Sequence, residues 1–479
     1  MPADEHLSCD ENGYLDFGPN DPSNPKNYSF ARKCYITAVS IALVMNATFA
    51  SSAPTGALSG ISKEFHVSTE AAGLVTTMFL LGYCAGPLLW APLSEFFGRR
   101  WISLGAFTLY LAFGFLCAFT PNFGGLIVGR VLTGTACSAA LTNAPGIIAD
   151  IWGPVARGNA MILFSVATFV GPALGPVVSG FLQLTETWRW TFYVLLWMAG
   201  ATEVFLLTLP ETFATKVLHD KARRLRKAGR EHIKSSADDQ YFKTIFSIAL
   251  TRPWILLFDP INLFVALYYA VVYTLLYMLF EIYPIVFQKK RGWNAGVGGL
   301  PLIGVVIGAC IGGLALFVKT QRNPKKDSYR EPVPEDRLPG SMVGSVLFAV
   351  SIFWFSWTAE YNSIHWIVPT IAGAVLAMSI LLIFVTFINY IVDSYLEYAA
   401  SAVAANTVVR SACAAASPLF TPSMFRALGV GGAGSLVGGV AILLMPMPFV
   451  FYRYGPAIRA RSRYARTDQA EKSKGEDIA

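Results

Sequence analysis

The chain has 479 residues, of which 54% are hydrophobic and 14% are charged. Soluble domains carry about 25% charged residues, and the mean hydropathy is +0.49. Composition therefore excludes an ordinary soluble protein and indicates a polytopic membrane protein. The net charge is +7, but the basic residues cluster between apolar runs, so we expect no nucleic-acid partner. The seven cysteines show no metal-ligand spacing, and we expect no metal site.

Twelve apolar runs follow a polar tail at residues 1–33, which lacks the order of a cleaved signal peptide. About 20 apolar residues cross the roughly 30 Å of hydrocarbon in a bilayer. Lipid does not tolerate unpaired backbone groups, so these runs must be helices. The sequence therefore predicts an all-α integral membrane fold with twelve transmembrane helices near residues 35–58, 70–91, 102–120, 125–148, 158–183, 189–209, 254–281, 296–318, 341–358, 364–389, 398–419 and 434–453.

The distribution of Lys and Arg predicts the orientation of these helices. With the N-terminus in the cytoplasm, 29 of the 37 basic residues lie in inside segments and 6 in outside segments. This bias places both termini in the cytoplasm. The polar segment 211–252 divides the runs into two six-helix halves, which suggests an alternating-access carrier. We expect five regions: a tail at 1–33, halves at 34–210 and 253–455, a linker at 211–252 that is a solvated helix or binds anionic lipid, and a tail at 456–479.

A short polar loop, WAPLSEFFGRR, joins the second and third runs. Gly98 permits a tight turn, and the Glu95 carboxylate can face a helix N-terminus in the opposite half or pair with a nearby arginine. We expect these groups and two charges of the next cytoplasmic loop to form a gate that closes the cytoplasmic side in one state. An ordinary charged turn is the alternative. The gate residues are Glu95, Gly98, Arg99, Arg100, Asp150 and Arg157.

The fifth run contains FVGPALGPVVSG, which places glycines and prolines inside an apolar stretch. Gly171, Gly175 and Ser179 are four residues apart, so they form a smooth stripe on which another helix can pack closely. Each proline removes a backbone donor, which membrane helices tolerate when neighbours satisfy the freed carbonyls. We expect a kinked, tightly packed helix at a moving interface between the halves. The residues of this motif are Gly171, Pro172, Gly175, Pro176 and Gly180.

These stretches resemble the major facilitator superfamily. The 90–100 loop is similar to its pattern Gly-x-x-x-Asp-(Arg/Lys)-x-Gly-x-(Arg/Lys)-(Arg/Lys), although Ala91 replaces the first glycine and Phe96 a basic residue. The 169–180 stretch is similar to the antiporter motif of the fifth helix, which is generally missing from symporters. Further stretches resemble the fungal twelve-spanner drug:proton antiporter branch: LTNAPGIIADIW, WRWTFYV, LPET, NYIVDSYLEYAASAVAANTVVRS and FYRYGPAIRARS. The resemblance spans about 26–464.

Polar residues inside the runs are candidates for a substrate pathway. The resemblance implies that the first, fourth, seventh and tenth helices line a central cavity. Three tyrosines of the seventh run are four residues apart and share one face, which suits amphipathic, partly aromatic substrates; interfacial belts or interhelical bonds are the alternative. The candidate pathway residues are Asn46, Arg130, Asn143, Asn262, Tyr269, Tyr273, Tyr277, Asn406 and Arg410.

Two arginines lie inside the runs. An intramembrane arginine is functional by default, and the resemblance associates Arg130 with proton transfer; snorkelling to the outer headgroups is the alternative. Arg410 needs a partner or water, or neutralises an anionic substrate. Glu203 is the carboxylate that lies well inside a predicted run, and Asp259 and Glu281 mark the two ends of the seventh. We expect the proton site at Glu203 or Asp259, or in a looser arrangement around Arg130.

The sequence thus predicts a secondary active transporter and not an enzyme, because no catalytic constellation is present. We expect a proton-coupled exporter of drugs, secondary metabolites or organic acids, which uses the proton gradient and no cofactor. An uptake symporter and a non-transporting solute sensor are the alternatives. The expected partners are a small-molecule substrate, protons and the lipid bilayer, and the expected state is a monomer. We expect it in the plasma membrane, with the vacuolar membrane as the alternative.

Overall fold

The computed structural model describes residues 8–9, 14–229, 233–235, 238, 242–322, 333–395, 398–462 and 464–465. Parts of the predicted tails and linker lie outside the described residues, among them 1–7, 10–13, 230–232, 239–241 and 466–479. Within the described residues the chain forms one short hairpin and fifteen α-helices. The antiparallel hairpin strands are β1 (Ser8–Cys9) and β2 (Leu15–Asp16).

The helices follow in chain order, and most of them overlap the predicted runs. In the N-terminal half they are α1 (Phe30–Ser52), α2 (Leu58–Phe65), α3 (Thr69–Phe97), α4 (Arg99–Phe119), α5 (Phe123–Ile151), α6 (Pro154–Thr185) and α7 (Arg189–Leu207). The linker contains α8 (Ala214–Lys227) and leads into α9 (Phe242–Leu257). In the C-terminal half they are α10 (Pro260–Tyr283), α11 (Ile303–Arg322), α12 (Pro339–Glu360), α13 (Ile367–Tyr395), α14 (Ala399–Leu444) and α15 (Met447–Arg459). The seventh run crosses the break between α9 and α10, and the twelfth crosses the break between α14 and α15.

Eleven stretches of the described chain are long and apolar enough to cross a membrane. Ten of them overlap the first ten predicted runs. The eleventh, Ala399–Arg459, holds the last two runs in 61 residues. At 1.5 Å per residue, α14 alone extends about 69 Å, more than twice the hydrocarbon thickness. It is two helices joined at Gly429, whose φ is +71°. This stretch is therefore long enough for two crossings, and the count of twelve stays our prediction.

Local sequence explains where several helices begin. Ser29, Ser68 and Asn122 precede α1, α3 and α5, and each side chain accepts a hydrogen bond from the first turn of its helix. Helices α6, α10 and α12 instead begin with proline, whose missing N–H would be unsatisfied in a first turn anyway. Polar caps and prolines thus mark the ends of otherwise apolar segments.

The two halves pack against each other along α3 with α14 and α6 with α11. Large apolar side chains remain exposed on the outward faces of the helices, for example Trp197, Val343 and Leu443. A water-soluble protein would bury much of this surface, whereas a bilayer solvates it. Following the predicted orientation, we call the end of the bundle that carries Gly98 the inner end and the opposite end the outer end.

Candidate transport pathway and its gates

The small-residue stripe of α6 packs directly on α1. A Cβ built on Gly175 would lie 2.6 Å from Ser52 Oγ and 2.8 Å from the Ala53 nitrogen, and one on Gly171 would lie 3.0 Å from the Phe49 nitrogen. At the far end of the stripe, Ser179 meets Gly56 in the break after α1. Glycine is required in α6 because no side-chain atom fits between the two backbones. We call this contact the α1–α6 seam.

Proline spacing explains the polar bond that crosses the seam. In α6 the carbonyl of Pro172 would normally accept from the residue four positions on, but that residue is Pro176, which has no N–H. Ser52 Oγ donates to this freed carbonyl at 2.7 Å. A side chain of α1 therefore replaces a backbone bond of α6, as membrane helices with internal prolines require.

The location of the seam differs from the expected interface between halves. Both α1 and α6 belong to the N-terminal half, so Gly171 and Gly175 pack within that half. The two ends of the 169–180 stretch reach the other half. A Cβ on Gly180 would lie 2.5 Å from the Ala295 carbonyl oxygen, and one on Gly299 would lie 3.2 Å from Val177 Cα. At the inner end, the ring centre of Phe169 lies 5.5 Å from that of Phe384. A stripe of small residues predicts close packing, but it does not name the partner helix.

Arg130 binds two backbone carbonyls and does not reach the outer headgroups. It is 1% exposed, and its Nε and Nη2 donate to the carbonyls of Val75 and Ala50, each at 2.9 Å. The Ala50 carbonyl is free because Pro54 lies four residues on and lacks an N–H. The Phe79 ring lies 4.1 Å from the guanidinium carbon. Arg130 thus holds α5, α3 and the broken end of α1 together, and the snorkelling alternative is wrong.

Two of the tyrosines on α10 meet other helices near the middle of the bundle. Tyr277 donates to Ser51 of α1 at 2.8 Å, a bond that joins the two halves one residue away from the seam. Tyr269 donates to the Phe384 carbonyl of α13 at 2.6 Å, and the rings of Tyr273 and Tyr277 lie 5.2 Å apart. All three tyrosines are buried.

Arg410 of α14 completes this layer. Its guanidinium carbon lies 5.0 Å from the Tyr273 ring centre and 4.9 Å from that of Phe384. Its Nε is buried without a hydrogen-bond partner, and no carboxylate of the described chain forms an ion pair with it. Two aromatic faces therefore hold a cation with a free donor. We call Ser51, Tyr273, Tyr277, Phe384 and Arg410 the central layer.

The four asparagines serve pairs of helices away from the central layer. Asn46 Nδ2 donates to Thr202 Oγ1 of α7 at 2.8 Å, and Asn143 Nδ2 donates to Ser103 Oγ of α4 at 3.1 Å. Asn406 Nδ2 donates to Asn262 Oδ1 at 2.6 Å, which joins α14 to α10. The structure therefore brings each of these amides to a contact between helices of one half, where the Oδ1 atoms of Asn46, Asn143 and Asn406 are buried without a hydrogen-bond partner.

The inner end of the N-terminal half carries a cluster around the turn at Gly98. The Glu211 carboxylate accepts from the backbone N–H groups of Arg99 at 2.9 Å and Arg100 at 3.2 Å, at the first turn of α4. Gly98 has a φ of +96°, and any Cβ there would collide with Glu211. The Arg99 guanidinium lies 3.5 Å from Asp150 at the end of α5. A carboxylate here neutralises the positive end of the helix dipole.

Two expected gate residues stand outside this cluster. Glu95 forms no ion pair with any described residue, and Arg157 is exposed and likewise unpaired there. The carboxylate that faces a helix N-terminus is Glu211, and that helix belongs to the same half. The expectation that Glu95 faces a helix N-terminus of the opposite half or pairs with a nearby arginine stays a prediction. Sequence reasoning missed the contact of Glu211 with this turn, although the stretch LPET contains it.

The two expected proton sites lie at separate places. Glu203 sits between α7 and α4, where Thr108 Oγ1 donates to its Oε1 at 2.5 Å. Asp259 lies at the inner end before α10, where Tyr395 donates to it at 2.6 Å and Ser462 at 2.5 Å. Neither carboxylate touches the central layer. Near Asp259, a buried ion pair joins Arg459 to Glu335 at 2.9 and 3.0 Å, which the sequence did not reveal.

Comparisons with known proteins agree with this architecture. Residues 39–418 match the family model described as Major Facilitator Superfamily. Similar curated proteins include the efflux pump FUB11 of Gibberella moniliformis, 39% identical over 94% of this chain and 77% of that protein. The citrinin biosynthesis cluster MFS transporter mrr1 of Monascus ruber is 40% identical over 94% of this chain and 91% of that protein. The multidrug transporter mdrA of Aspergillus fumigatus is 40% identical over 94% of this chain and 76% of that protein.

Solved structures share the fold at low sequence identity. The proton:xylose symporter XylE superimposes with a TM-score of 0.63 at 16% identity and covers 90% of this chain and 97% of its own. The human organic anion transporter MFSD10 gives a TM-score of 0.58 at 13% identity and covers 87% of this chain and 99% of its own. The family model and the relatives confirm the resemblance inferred from the motifs. The chain therefore belongs to the Major Facilitator Superfamily, and it is an integral membrane transporter.

Proposed function

We propose that this transporter exports small organic molecules in exchange for protons by alternating access. The observation that carries the proposal is the α1–α6 seam. The glycines and prolines of the antiporter motif are all buried, and at the seam Ser52 supplies the donor that Pro176 cannot. Relatives at about 40% identity are named efflux pumps or multidrug transporters, which supports export over uptake.

The central layer is the proposed place of substrate contact. Its aromatic rings and the free donor of Arg410 lie between the halves, where a rocking motion opens and closes a cavity. The Tyr277–Ser51 bond joins the halves here, so this bond must break in at least one state of the cycle. A flat, partly aromatic molecule with an acceptor or acid group fits this chemistry. Drugs, secondary metabolites and organic acids all include such molecules.

We propose that the protein works as a monomer in the plasma membrane and draws on the proton gradient without a cofactor. The vacuolar membrane is the alternative location, which microscopy of a fluorescent fusion in a fungal host distinguishes. An uptake symporter and a solute sensor are the competing functions.

The test is transport by purified protein in liposomes with an imposed pH gradient. Fluorescein serves as an anionic probe and ethidium as a cationic one. An exporter of the proposed kind moves a probe against the direction of proton flow, and pyranine on the opposite side records the proton. Movement of probe and proton in the same direction identifies a symporter. Transport unaffected by the gradient, or no movement of either probe while both bind, contradicts antiport.

A further inference from the structure

Glu281 continues the tyrosine face of α10 toward the outer end. It lies four residues after Tyr277, so it shares that face about 6 Å farther along the helix. Leu275, Met278, Leu279 and Ile282 line an apolar cavity on the other side of α10 with residues of α12, α13 and α14. Glu281 therefore belongs to the side of the helix that meets α1, one turn beyond the central layer.

The carboxylate of Glu281 lacks the partners that other acids have. Its Oε1 is buried and has no hydrogen-bond partner, while the residue as a whole is partly exposed. By contrast, Glu64 is paired with Arg189 and Glu360 with Lys290. An unpaired carboxylate inside a membrane protein is costly when charged and much less so when protonated. The site thus favours the neutral acid whenever water is excluded.

The charged groups around this end of α10 leave Glu281 free to titrate. Lys289, eight residues on, is the cation whose field reaches it. Lys290 is bonded to Glu360, and Arg291 donates to the Ile364 carbonyl at 2.8 Å. On α14, Arg410 stacks on Tyr273 two turns toward the inner end, and Arg426 pairs with Glu70. No group of the described chain neutralises Glu281 directly.

A continuous set of contacts links Glu281 to the antiporter motif. One turn below it, Tyr277 is bonded to Ser51 of α1. The next residue of α1, Ser52, is bonded to the Pro172 carbonyl of α6. Three residues after Glu281, where α10 ends, residues Pro284–Lys290 form a π-helix, a rare element that is frequent at functional sites. Glu281 thus lies where motion of α1 against α10 changes the groups around its carboxylate.

We propose that Glu281 is the carboxylate that binds and releases the exchanged proton. This inference rests on the proposed antiport function. The step is a reversible proton transfer: on the outer side an O–H bond of a hydronium ion breaks, leaving water, and an O–H bond forms on the carboxylate of Glu281. With the inner end open, that carboxyl O–H bond breaks and a water molecule takes the proton as hydronium. No other bond of the protein changes. Because the closed contact between α1 and α10 disfavours the charged form, protonation stabilises that contact and deprotonation favours its opening.

The closing experiment compares E281Q with wild type in liposomes that carry fluorescein or ethidium. Glutamine keeps the shape of the side chain and cannot exchange a proton. E281Q should still exchange internal for external probe without a gradient, while a pH gradient no longer drives accumulation. E203Q, whose carboxylate lies between α4 and α7, should respond to the gradient as wild type does. Gradient-driven accumulation by E281Q overturns the assignment, and so does loss of both activities in E281Q.

A second measurement needs no transported probe. Infrared difference spectra of the purified full chain, taken between acidic and alkaline buffer, record the C=O stretch of each protonated carboxyl. Subtracting the E281Q difference spectrum from the wild-type difference spectrum should leave one carboxylic band. Subtracting the spectrum of the double variant E203Q/E281Q from that of E203Q should leave the same band. Absence of that band overturns the assignment. If the wild-type protein exchanges probe but does not respond to the pH gradient, the proposed antiport is contradicted. If the wild-type protein and E281Q both respond to the gradient, only the assignment of Glu281 is contradicted.

Discussion

Replacing Gly175 with alanine tests whether the α1–α6 seam depends on direct backbone contact. The added Cβ would lie 2.8 Å from the Ala53 nitrogen, whereas ordinary contact begins at 3.4 Å. The two helices must therefore separate by about 0.6 Å, or the new methyl group must displace Ser52 Oγ at 2.6 Å. Backbone cannot rotate out of the way, so the change propagates along α1.

The expected magnitude follows from two opposing effects. Overpacking costs about 1–3 kcal/mol, while alanine in a helix interior returns about 0.5–1 kcal/mol relative to glycine. If Ser52 is displaced, the Pro172 carbonyl loses its donor at a further cost of about 1–3 kcal/mol. We expect Gly175→Ala to be destabilising by about 0–2.5 kcal/mol if Ser52 stays in place and by about 1–5.5 kcal/mol if it is displaced, and to reduce transport strongly.

The assay is thermal unfolding in detergent, followed with a thiol-reactive fluorophore. Cys117 and Cys137 are buried, so their labelling by the fluorophore reports unfolding of the N-terminal half. Gly200→Ala is the matched control, because a Cβ there has nothing within 4 Å; its midpoint should stay level or rise. Ser52→Ala removes the hydrogen bond without adding an atom and should fall between the two.

The order of the unfolding midpoints of these variants shows whether the α1–α6 seam depends on glycine. If Gly175→Ala unfolds at the same temperature as Gly200→Ala and transports normally, the two helices do not depend on glycine for their contact. The close packing of α1 on the antiporter motif of α6 would then not be needed for stability or transport, which refutes the prediction.

Three further predictions concern other polar contacts, and the same unfolding assay checks each. Glu211→Gln removes the charge that faces the first turn of α4 and should cost about 0.3–2 kcal/mol, whereas Glu95→Gln should leave the midpoint unchanged. Arg130→Lys cannot reach both carbonyls, so one is left unsatisfied at about 1–3 kcal/mol; an unchanged midpoint would contradict the bridging role. Arg459→Met leaves Glu335 buried and unpaired at about 3–5 kcal/mol, and adding Glu335→Met should recover most of the loss; a double variant as unstable as the single would contradict this.

Sequence reasoning predicted the course of the chain because apolar length and basic charge are properties of each segment alone. It located most of the helices, while the domain boundaries and the gate around Gly98 and Arg99 stay predictions. It did not predict which helix packs on which. The stripe at Gly171 and Gly175 indicated close packing, but its partner α1 could be recognised only in the structure.

Partners of polar groups were the main source of error. Arg130 binds two backbone carbonyls, one of which, that of Ala50, is freed by Pro54, and Glu211 accepts from backbone N–H groups rather than from side chains. Such partners depend on tertiary arrangement and leave no pattern of charged residues. One signal was available: two prolines four residues apart, Pro172 and Pro176, necessarily leave a carbonyl unsatisfied, which predicts a donor such as Ser52 nearby.

The bond pattern at the Gly98 turn has a consequence for which residues that turn tolerates. The Glu211 carboxylate accepts from backbone N–H groups, which every residue except proline supplies, so the identity of the side chains at Arg99 and Arg100 matters little to this contact. This agrees with a loop that carries Ala91 and Phe96 in place of the residues typical of the family. It also means that the start of the linker is held to the turn between α3 and α4 through one carboxylate.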